Sequence, residues 1–173
     1  LHFPRQRWGS LTRALNVAAR EFGFIDPEEC AHWLLTTALS HNEMATLASY
    51  LTIGETYFLR EPRHFELLRD VILPERIRSR EASGEGLRIW SAACSTGEEP
   101  YSIAITLAEM GVRSSGGAAT VLATDINPRS LRHASEGLYK QWSFRGVDSR
   151  VRKRYFQERQ GGRFEVIPEI QEA

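Results

Sequence analysis

The stretch LRIWSAACSTGEEPYSIAITLAE, residues 87–109, decides the fold of this chain. Its first six residues form a short apolar run rich in strand formers, and a helical pattern occupies residues 98–110. A strand, a tight turn and a helix in this order are typical of a cofactor loop in an α/β protein. The turn contains one glycine, Gly97, which is followed by two carboxylates, Glu98 and Glu99.

A second strand and helix follow the first pair. Residues 120–125, TVLATD, predict a strand, and residues 127–137 predict a helix with Asn127 as N-cap and Pro128 at its first position. Residues 112–119, VRSSGGAA, predict the connecting loop. Strands that alternate with helices over short links predict an α/β fold, a parallel Rossmann-like sheet with crossover helices.

The region before this sheet is predicted to be helical throughout. An all-helical N-terminal subdomain is predicted over residues 1–52, with helices at 8–22, after the cap Asp26 with Pro27 at the first helical position, and after the cap Asn42. A linking helical segment is predicted over residues 53–86, bent or broken near Pro74.

The region after Gly137 carries weaker signals. Residues 147–156 fit a helix, and residues 163–167, RFEVI, alternate like an edge or hairpin strand. We therefore assign residues 87–173 to the first part of a Rossmann-like domain, with the start of a β-subdomain near 163–173. The few strands predicted cannot complete a doubly wound sheet, so we expect an incomplete sheet whose exposed edge favours self-association.

Composition limits the classes of function. The 173 residues include 22 Lys and Arg against 22 Asp and Glu, and this zero net charge argues against a large nucleic-acid surface. Two distant cysteines, Cys30 and Cys94, favour a reducing, cytoplasmic setting, and no apolar run or signal peptide predicts membrane insertion. The chain begins at Leu1 rather than Met, so we expect it to be a piece of a longer protein.

The two glutamates of the turn have a structural and a functional interpretation. In the structural one, Ser95 with Glu98, or Thr96 with Glu99, forms a capping box at the helix start. In the functional one, carboxylates replace the glycines with which a dinucleotide loop approaches a pyrophosphate, and they would repel that group. S-Adenosylmethionine is a cofactor with an ammonium, a sulfonium and no phosphate, so the same carboxylates would attract it.

Asp125 strengthens the functional interpretation. It ends the second strand, 28 residues after Gly97, where a carboxylate can accept hydrogen bonds from two ribose hydroxyls. Its alternative role is that of a turn or cap residue, which it would fill together with Asn127.

Two long motifs resemble the CheR-type methyltransferases, which use S-adenosylmethionine to esterify glutamates on bacterial chemoreceptors. The first motif combines residues 87–109 with residues 121–139, VLATDINPRSLRHASEGLY. The second is residues 51–75, LTIGETYFLREPRHFELLRDVILPE, in which Leu59 replaces an aromatic residue of the family pattern and Gly54 stands where some members carry a polar side chain. Two long motifs in the right order are far more specific than one short pattern.

The resemblance implies roles for single residues. Thr56 and Arg60 would be catalytic and would also border the cofactor, and Arg60 would orient either the substrate carboxylate or the cofactor carboxylate. The acid that meets the methionine part of the cofactor would be Glu99, with Glu98 as the capping residue. Asp125 would be the ribose ligand. The backbone of residues 92–97, from Ala92 to Gly97, would line the loop.

The resemblance also implies a reaction and a partner. The activity would be O-methyl ester formation on glutamates of a chemoreceptor or related signalling protein, with S-adenosylhomocysteine as product. The alternatives are a non-catalytic cofactor-sensing or docking module on the same fold, and a small-molecule methyltransferase. We expect this stretch alone to bind cofactor weakly and not to turn over, because the family's later part carries the remaining strands.

Other residues have simpler interpretations. Arg60 has the alternative of a surface ion pair with Glu55 or Glu61. Cys94 lacks a neighbouring histidine and is predicted to be a packed residue rather than a nucleophile. No metal site is predicted, because no metal-ligand spacing links the five histidines, His2, His32, His41, His64 and His133.

Overall fold

The computed structural model describes residues 2–112 and 118–173, with the backbone alone described for residues 81–83. The predicted loop at 112–119 therefore lies largely outside the described residues. The chain divides into two compact units, Leu1–Gly54 with Ile126–Arg129, and Glu55–Asp125 with Ser130–Ala173. The boundaries predicted from the sequence after residues 52 and 86 stay predictions.

The first unit is built from helices. Its α-helices are α1 (Trp8–Glu21), α2 (Pro27–Thr36) and α3 (His41–Leu51). Asp26 caps α2 as predicted, since its side chain accepts a hydrogen bond from the Glu28 N–H at 2.9 Å. The small buried residues Ala18, Ala19 and Ala48 lie on α1 and α3, where they allow close contact between helices.

The prediction that Asn42 caps the third helix is wrong. Ser40 is the N-cap: its hydroxyl accepts a bond from the Glu43 N–H, and the Glu43 carboxylate accepts one from the Ser40 N–H at 2.7 Å. This reciprocal capping box satisfies two N–H groups that have no partner within the helix, and it starts the helix before Asn42.

The helical segment after the first unit is interrupted where the sequence predicts it. It consists of α4 (Pro62–Leu67), one π-helical stretch (Leu68–Ile72) and α5 (Leu73–Ser83). Pro74 lacks the N–H that would continue the α-helical pattern, and the π-helical stretch ends two residues before it, at Ile72.

The α/β fold class is confirmed by the next elements, β1 (Leu87–Ala92), α6 (Glu98–Glu109), β2 (Ala119–Thr124) and α7 (Pro128–Glu136). Within the described residues, β1 and β2 form a two-stranded parallel sheet, in register from the pair Leu87 and Ala119 to the pair Ala92 and Thr124. The carboxyl ends of both strands therefore lie side by side. Asn127 caps α7 as predicted, because its side chain accepts a bond from the Arg129 N–H at 3.0 Å.

The C-terminal part contains a second sheet. Its elements are β3 (Leu138–Lys140), α8 (Ser149–Tyr155), β4 (Phe156–Arg159), β5 (Arg163–Val166) and α9 (Pro168–Gln171). In the described part of the chain, the antiparallel order is β3-β5-β4. The prediction of an edge or hairpin strand at 163–167 is confirmed in its hairpin form, since β5 pairs antiparallel with the preceding strand β4, but β5 does not lie at an edge. β5 is central because β3, from before α8, pairs with its free side, a long-range partner that local alternation does not reveal.

Two hydrophobic clusters hold the second unit. Leu73, Leu87 and Leu107 pack with Ile103 and Ala119, and they join α5 and α6 to the parallel sheet. Phe58 packs with Tyr139, Phe144 and Phe156 in an aromatic cluster that includes the antiparallel sheet. Across residues 2–112 and 118–173, no helix has both the length and the apolar composition needed to cross a bilayer.

Candidate functional site

The β1–α6 loop, residues 93–97, lies at the carboxyl edge of the parallel sheet. The Cys94 N–H donates to the Thr124 carbonyl at 3.0 Å and so extends the pairing of the two strands. The Ser95 N–H donates to Asp125 Oδ2 at 2.8 Å. Asp125 is thereby fixed against the backbone of the loop, at the edge where ligands of open α/β sheets bind.

The backbone of this loop is strained. Ala93 has φ = 61° and Ser95 has φ = 50°, values that side-chain-bearing residues rarely adopt. Each such residue costs on the order of 1 kcal/mol and persists only where the surrounding structure imposes it, most often at a functional site.

Gly97 has a packing role that the sequence does not reveal. Its φ is 95°, and a Cβ at this position would lie 2.7 Å from Ala134 Cβ and 2.8 Å from the Tyr139 hydroxyl. The Gly97 N–H donates to the Cys94 carbonyl at 3.0 Å. The glycine therefore lets the loop pack against α7 and β3, and its N–H already has a partner within the loop.

The capping box predicted at the start of α6 is wrong. The N-cap is Gly97 in the left-handed conformation, and no side chain caps the helix. The hydroxyl of Thr96 instead donates to Glu98 Oε2 at 2.6 Å, and the Ser143 hydroxyl donates to Glu98 Oε1 at 2.9 Å. Glu98 is 3% exposed and is thus a buried, doubly bonded carboxylate rather than a capping residue.

Glu99 differs from its neighbour. It is exposed, and its Oε1 accepts a hydrogen bond from the Ser91 hydroxyl at 2.7 Å. Ser91 lies on β1, so this bond orients the Glu99 carboxylate back toward the strand that leads into the loop. Of the two glutamates, Glu99 is the one that can meet a cationic ligand from solvent.

The loop has a polar atom that lacks a partner. Ser95 Oγ is buried, with the residue 9% exposed, and it has no hydrogen-bond partner among the described residues. A buried hydroxyl without a partner costs about 1–3 kcal/mol, so a ligand that bonds it would gain affinity. Together with the Asp125 and Glu99 carboxylates, this hydroxyl fits a ligand that is cationic and carries hydroxyl groups.

Cys94 is packed, as predicted. It is 2% exposed, and burial, aided by the nearby Asp125 charge, raises the pKa of its thiol. The thiol is therefore protonated at neutral pH, and a protonated thiol is a poor nucleophile. In the part of the chain that the structure describes, no group of three or more His, Cys, Asp or Glu side chains could hold a metal ion.

The second element of the site is the TYFLRE turn, residues 56–61. Phe58 is 2% exposed and anchors the turn in the aromatic cluster. The next residues are strained, with φ = 55° at Leu59 and φ = 60° at Glu61. The Phe58 N–H donates to the Ser143 carbonyl at 2.9 Å, and the Leu59 N–H donates to Ser102 Oγ at 2.9 Å. These bonds fix the turn in its strained conformation.

Arg60 lies in a cluster of aromatic and charged side chains. Its guanidinium is exposed, donates to the Glu55 carbonyl and lies 5.8 Å from the centre of the Tyr57 ring. Arg145 lies 3.8 Å from the same ring centre and 4.4 Å from that of Trp142, and it pairs with the Glu55 carboxylate at 3.6 Å. Arg145 thus orders the two residues that contact Arg60.

The structure brings four of the predicted site residues together, namely Ala92, Gly97, Glu99 and Asp125. Thr56, which is half-buried, and Arg60 lie on the separate TYFLRE turn, which is connected to α6 through Ser102. Sequence reasoning missed Ser102, Ser143 and Arg145. No local pattern marks them, because their partners lie in distant parts of the chain.

The fold is that of an α/β domain, and its β1–α6 loop lies at the edge of the parallel sheet where ligands of such folds bind. Residues 54–173 match the family described as CheR methyltransferase, SAM binding domain. The chain therefore belongs to the CheR methyltransferase family, and the predicted cofactor, S-adenosylmethionine, is confirmed by this membership.

Similar proteins carry related names. A probable chemotaxis protein methyltransferase of Rhizobium etli is 44% identical over 112 residues, which are 65% of this chain and 41% of that protein. Chemotaxis protein methyltransferase 2 of Vibrio cholerae is 34% identical over 78% of this chain and 46% of that protein. A probable biofilm formation methyltransferase, WspC, of Pseudomonas putida is 35% identical over 83% and 32%. The chain spans less than half the length of these relatives.

Proposed function

We propose that the intact protein transfers a methyl group from S-adenosylmethionine to glutamate side chains of a chemoreceptor or a related signalling protein. The arrangement of the β1–α6 loop carries this proposal. The loop bonds Asp125 through the Ser95 N–H and leads into the exposed Glu99, and its buried Ser95 hydroxyl lacks a partner among the described residues.

Residues in and beside the β1–α6 loop contact different parts of the cofactor. Asp125 accepts hydrogen bonds from the two ribose hydroxyls, and such bonds to a charged group contribute about 1.5–3 kcal/mol. Glu99 attracts the ammonium of the methionine part. The Ser95 hydroxyl gains a partner when the site is filled. Ala92 and Gly97 shape the loop backbone, Ala92 at the end of β1 and Gly97 by its packing.

The chemistry is a displacement that needs alignment rather than a base. When bound, S-adenosylmethionine supplies a methyl carbon that is activated by the sulfonium. A substrate glutamate is ionised at neutral pH, because its reference pKa is about 4.3, so no group has to remove a proton. Arg60 orients the carboxylate of the substrate glutamate through its planar pair of donors. Thr56 lies on the same turn and borders the cofactor.

The partner is a signalling protein that presents glutamates to this site in the cytoplasm. The names of the relatives from Rhizobium etli and Vibrio cholerae support a chemotaxis partner. The name of the relative from Pseudomonas putida supports a related pathway that controls biofilm formation.

The test measures the binding of S-adenosylhomocysteine to the intact protein by calorimetry, beside Asp125→Ala. We expect the substitution to weaken binding about 10- to 100-fold, which corresponds to the loss of charge-assisted hydrogen bonds. Asp148→Ala is the matched control, because Asp148 also accepts a backbone N–H at 2.8 Å, at the start of α8. Its affinity should equal that of the wild type.

A second measurement separates the substrates. Labelled methyl groups from the cofactor should appear as base-labile esters on receptor glutamates. If the label appeared in a small metabolite instead, the protein would be a small-molecule methyltransferase. If the protein bound the cofactor without transferring any label, it would be a cofactor sensor. A wild type that binds no S-adenosylhomocysteine would overturn the proposal.

A further inference from the structure

We propose that Glu98 is a positioning residue that couples the β1–α6 loop to the TYFLRE turn carrying Arg60. This inference rests on the proposed function, since it concerns the same site. It starts from the unusual state of Glu98, whose side chain is buried at the first position of α6 while its neighbour Glu99 is exposed.

The hydrogen bonds of the Glu98 carboxylate explain how this side chain can be buried. Among the described residues, no ion pair reaches Glu98, and its two oxygens accept hydrogen bonds from the hydroxyls of Thr96 and Ser143. Burial of a charge is unfavourable unless hydrogen bonds stabilise it, and a helix start that needed only a cap would be served by an exposed side chain. The two bonds connect two different parts of the structure.

The first branch runs through the Glu98 side chain. Thr96 belongs to the β1–α6 loop, so one carboxylate oxygen of Glu98 is bonded to the part of the site that contacts the cofactor. The other oxygen holds Ser143, whose carbonyl accepts the Phe58 N–H at 2.9 Å. The side chain of Glu98 thus lies two hydrogen bonds away from the backbone of the TYFLRE turn.

The second branch runs through the Glu98 main chain. The Glu98 carbonyl accepts a bond from the Ser102 hydroxyl at 2.6 Å, and Ser102 Oγ accepts the Leu59 N–H at 2.9 Å. Ser102 is completely buried, so this path is shielded from water. The two branches end on adjacent residues, Phe58 and Leu59, which directly precede Arg60.

The consequence is a fixed relation between loop and turn. A ligand that orders the loop also orders Thr96, and the two branches transmit this order to the strained backbone before Arg60. In the displacement proposed above, the position of Arg60 relative to the methyl carbon decides how often a carboxylate is aligned. Glu98 acts through these residues and contacts neither substrate nor cofactor.

The test measures backbone amide exchange of Phe58 and Leu59 in the intact protein, with and without saturating S-adenosylhomocysteine. In the wild type, the ligand should slow the exchange of both amides about tenfold. Glu98→Ala should abolish this slowing at Phe58 and leave it at Leu59, because its main-chain carbonyl remains. Ser102→Ala should do the reverse.

The matched control is Ser135→Ala, an exposed serine on α7 whose hydroxyl donates to the Arg132 carbonyl of the same helix. It should behave like the wild type. Turnover provides a second measurement: Glu98→Ala should lower kcat about tenfold and change the KM for the cofactor less than about threefold.

Each other outcome has a definite meaning. If the wild type binds S-adenosylhomocysteine without slowing either amide, the coupling is wrong and the proposed function stands. If Glu98→Ala and Ser102→Ala accelerate both amides alike, with and without ligand, Glu98 only stabilises the fold. A wild type that does not bind the ligand overturns both proposals.

Discussion

The β1–α6 loop and the TYFLRE turn are both strained, but they are held in different ways. Each contains two non-glycine residues with positive φ, Ala93 and Ser95 in the loop and Leu59 and Glu61 in the turn. The loop is fixed by the strand that precedes it and by the end of the adjacent strand, through Asp125. The turn is fixed by distant residues, of which Ser102 is 43 positions away from its partner Leu59.

This difference separates what each element contributes. The loop follows the end of β1 and is bonded to the end of β2, so its geometry depends on the parallel pair of strands. The turn has its conformation only while α6 and the segment after β3 are in place. We therefore expect substitutions in the loop to affect stability and cofactor affinity, and substitutions in the turn to affect turnover.

The largest effect is expected at Gly97. Gly97→Ala would place a Cβ 2.7 Å from Ala134 Cβ and would require an alanine at φ = 95°. Overpacking together with backbone strain should lower the free energy of unfolding by about 3 kcal/mol or more, measured by chemical denaturation. This would show that the loop is part of the core of its unit.

The control for this substitution is Gly111→Ala. Gly111 also has a positive φ, of 78°, but among the described residues no atom beyond its chain neighbours lies within 4 Å of the position its Cβ would take. The strain alone should destabilise by about 1 kcal/mol. Equal losses in the two variants would mean that the packing of Gly97 against α7 and β3 contributes nothing.

The elements around the loop could be predicted from the sequence because their signals are local. Apolar runs of strand length, helical spacing and an acid at a strand end indicated β1, α6, β2 and Asp125. The burial of Glu98 at the start of α6 was not predictable. Spacing alone makes Glu98 and Glu99 equivalent caps, and only the position of Ser143 shows that Glu98 is buried.

The turn and the second sheet could not be predicted in the same way. Arg60 was found through the resemblance to a family, not through a pattern that explains it. Its neighbour Arg145 gives no local signal, because its stacking on Tyr57 joins residues far apart in the chain. For the same reason, the alternation of residues 163–167 indicated an edge or hairpin strand but did not reveal that β3 pairs with β5.

A smaller effect, on turnover, is expected from Arg60→Lys. Lysine keeps the charge but lacks the planar pair of donors that can hold a carboxylate, so kcat/KM should fall about 10- to 100-fold in a methyl-transfer assay. The affinity for S-adenosylhomocysteine and the free energy of unfolding should change little, because Arg60 is exposed.

The control for Arg60→Lys is Arg63→Lys, at an exposed position on α4. It should retain full turnover. If Arg60→Lys also turns over at the wild-type rate, the turn has no role in orienting a carboxylate. The loop and the turn would then differ in structure but not in function.

The smallest effect is expected from Glu99→Gln, which tests the loop by charge alone. Because Glu99 is exposed, water and salt screen its attraction for an ammonium, and the affinity for S-adenosylhomocysteine should fall only about threefold to tenfold. The affinity of the wild type should weaken as salt is raised, and that of the variant should depend less on salt.

The neighbouring Glu98→Gln should instead lower the free energy of unfolding by about 1–3 kcal/mol, since its amide places a donor against a buried hydroxyl that donates. Its affinity should stay within about twofold of the wild type. If Glu98→Gln and Glu99→Gln weakened binding equally, the charges of both glutamates would reach the cofactor. The assignment of Glu98 as a buried positioning residue and Glu99 as the exposed ligand would then be wrong.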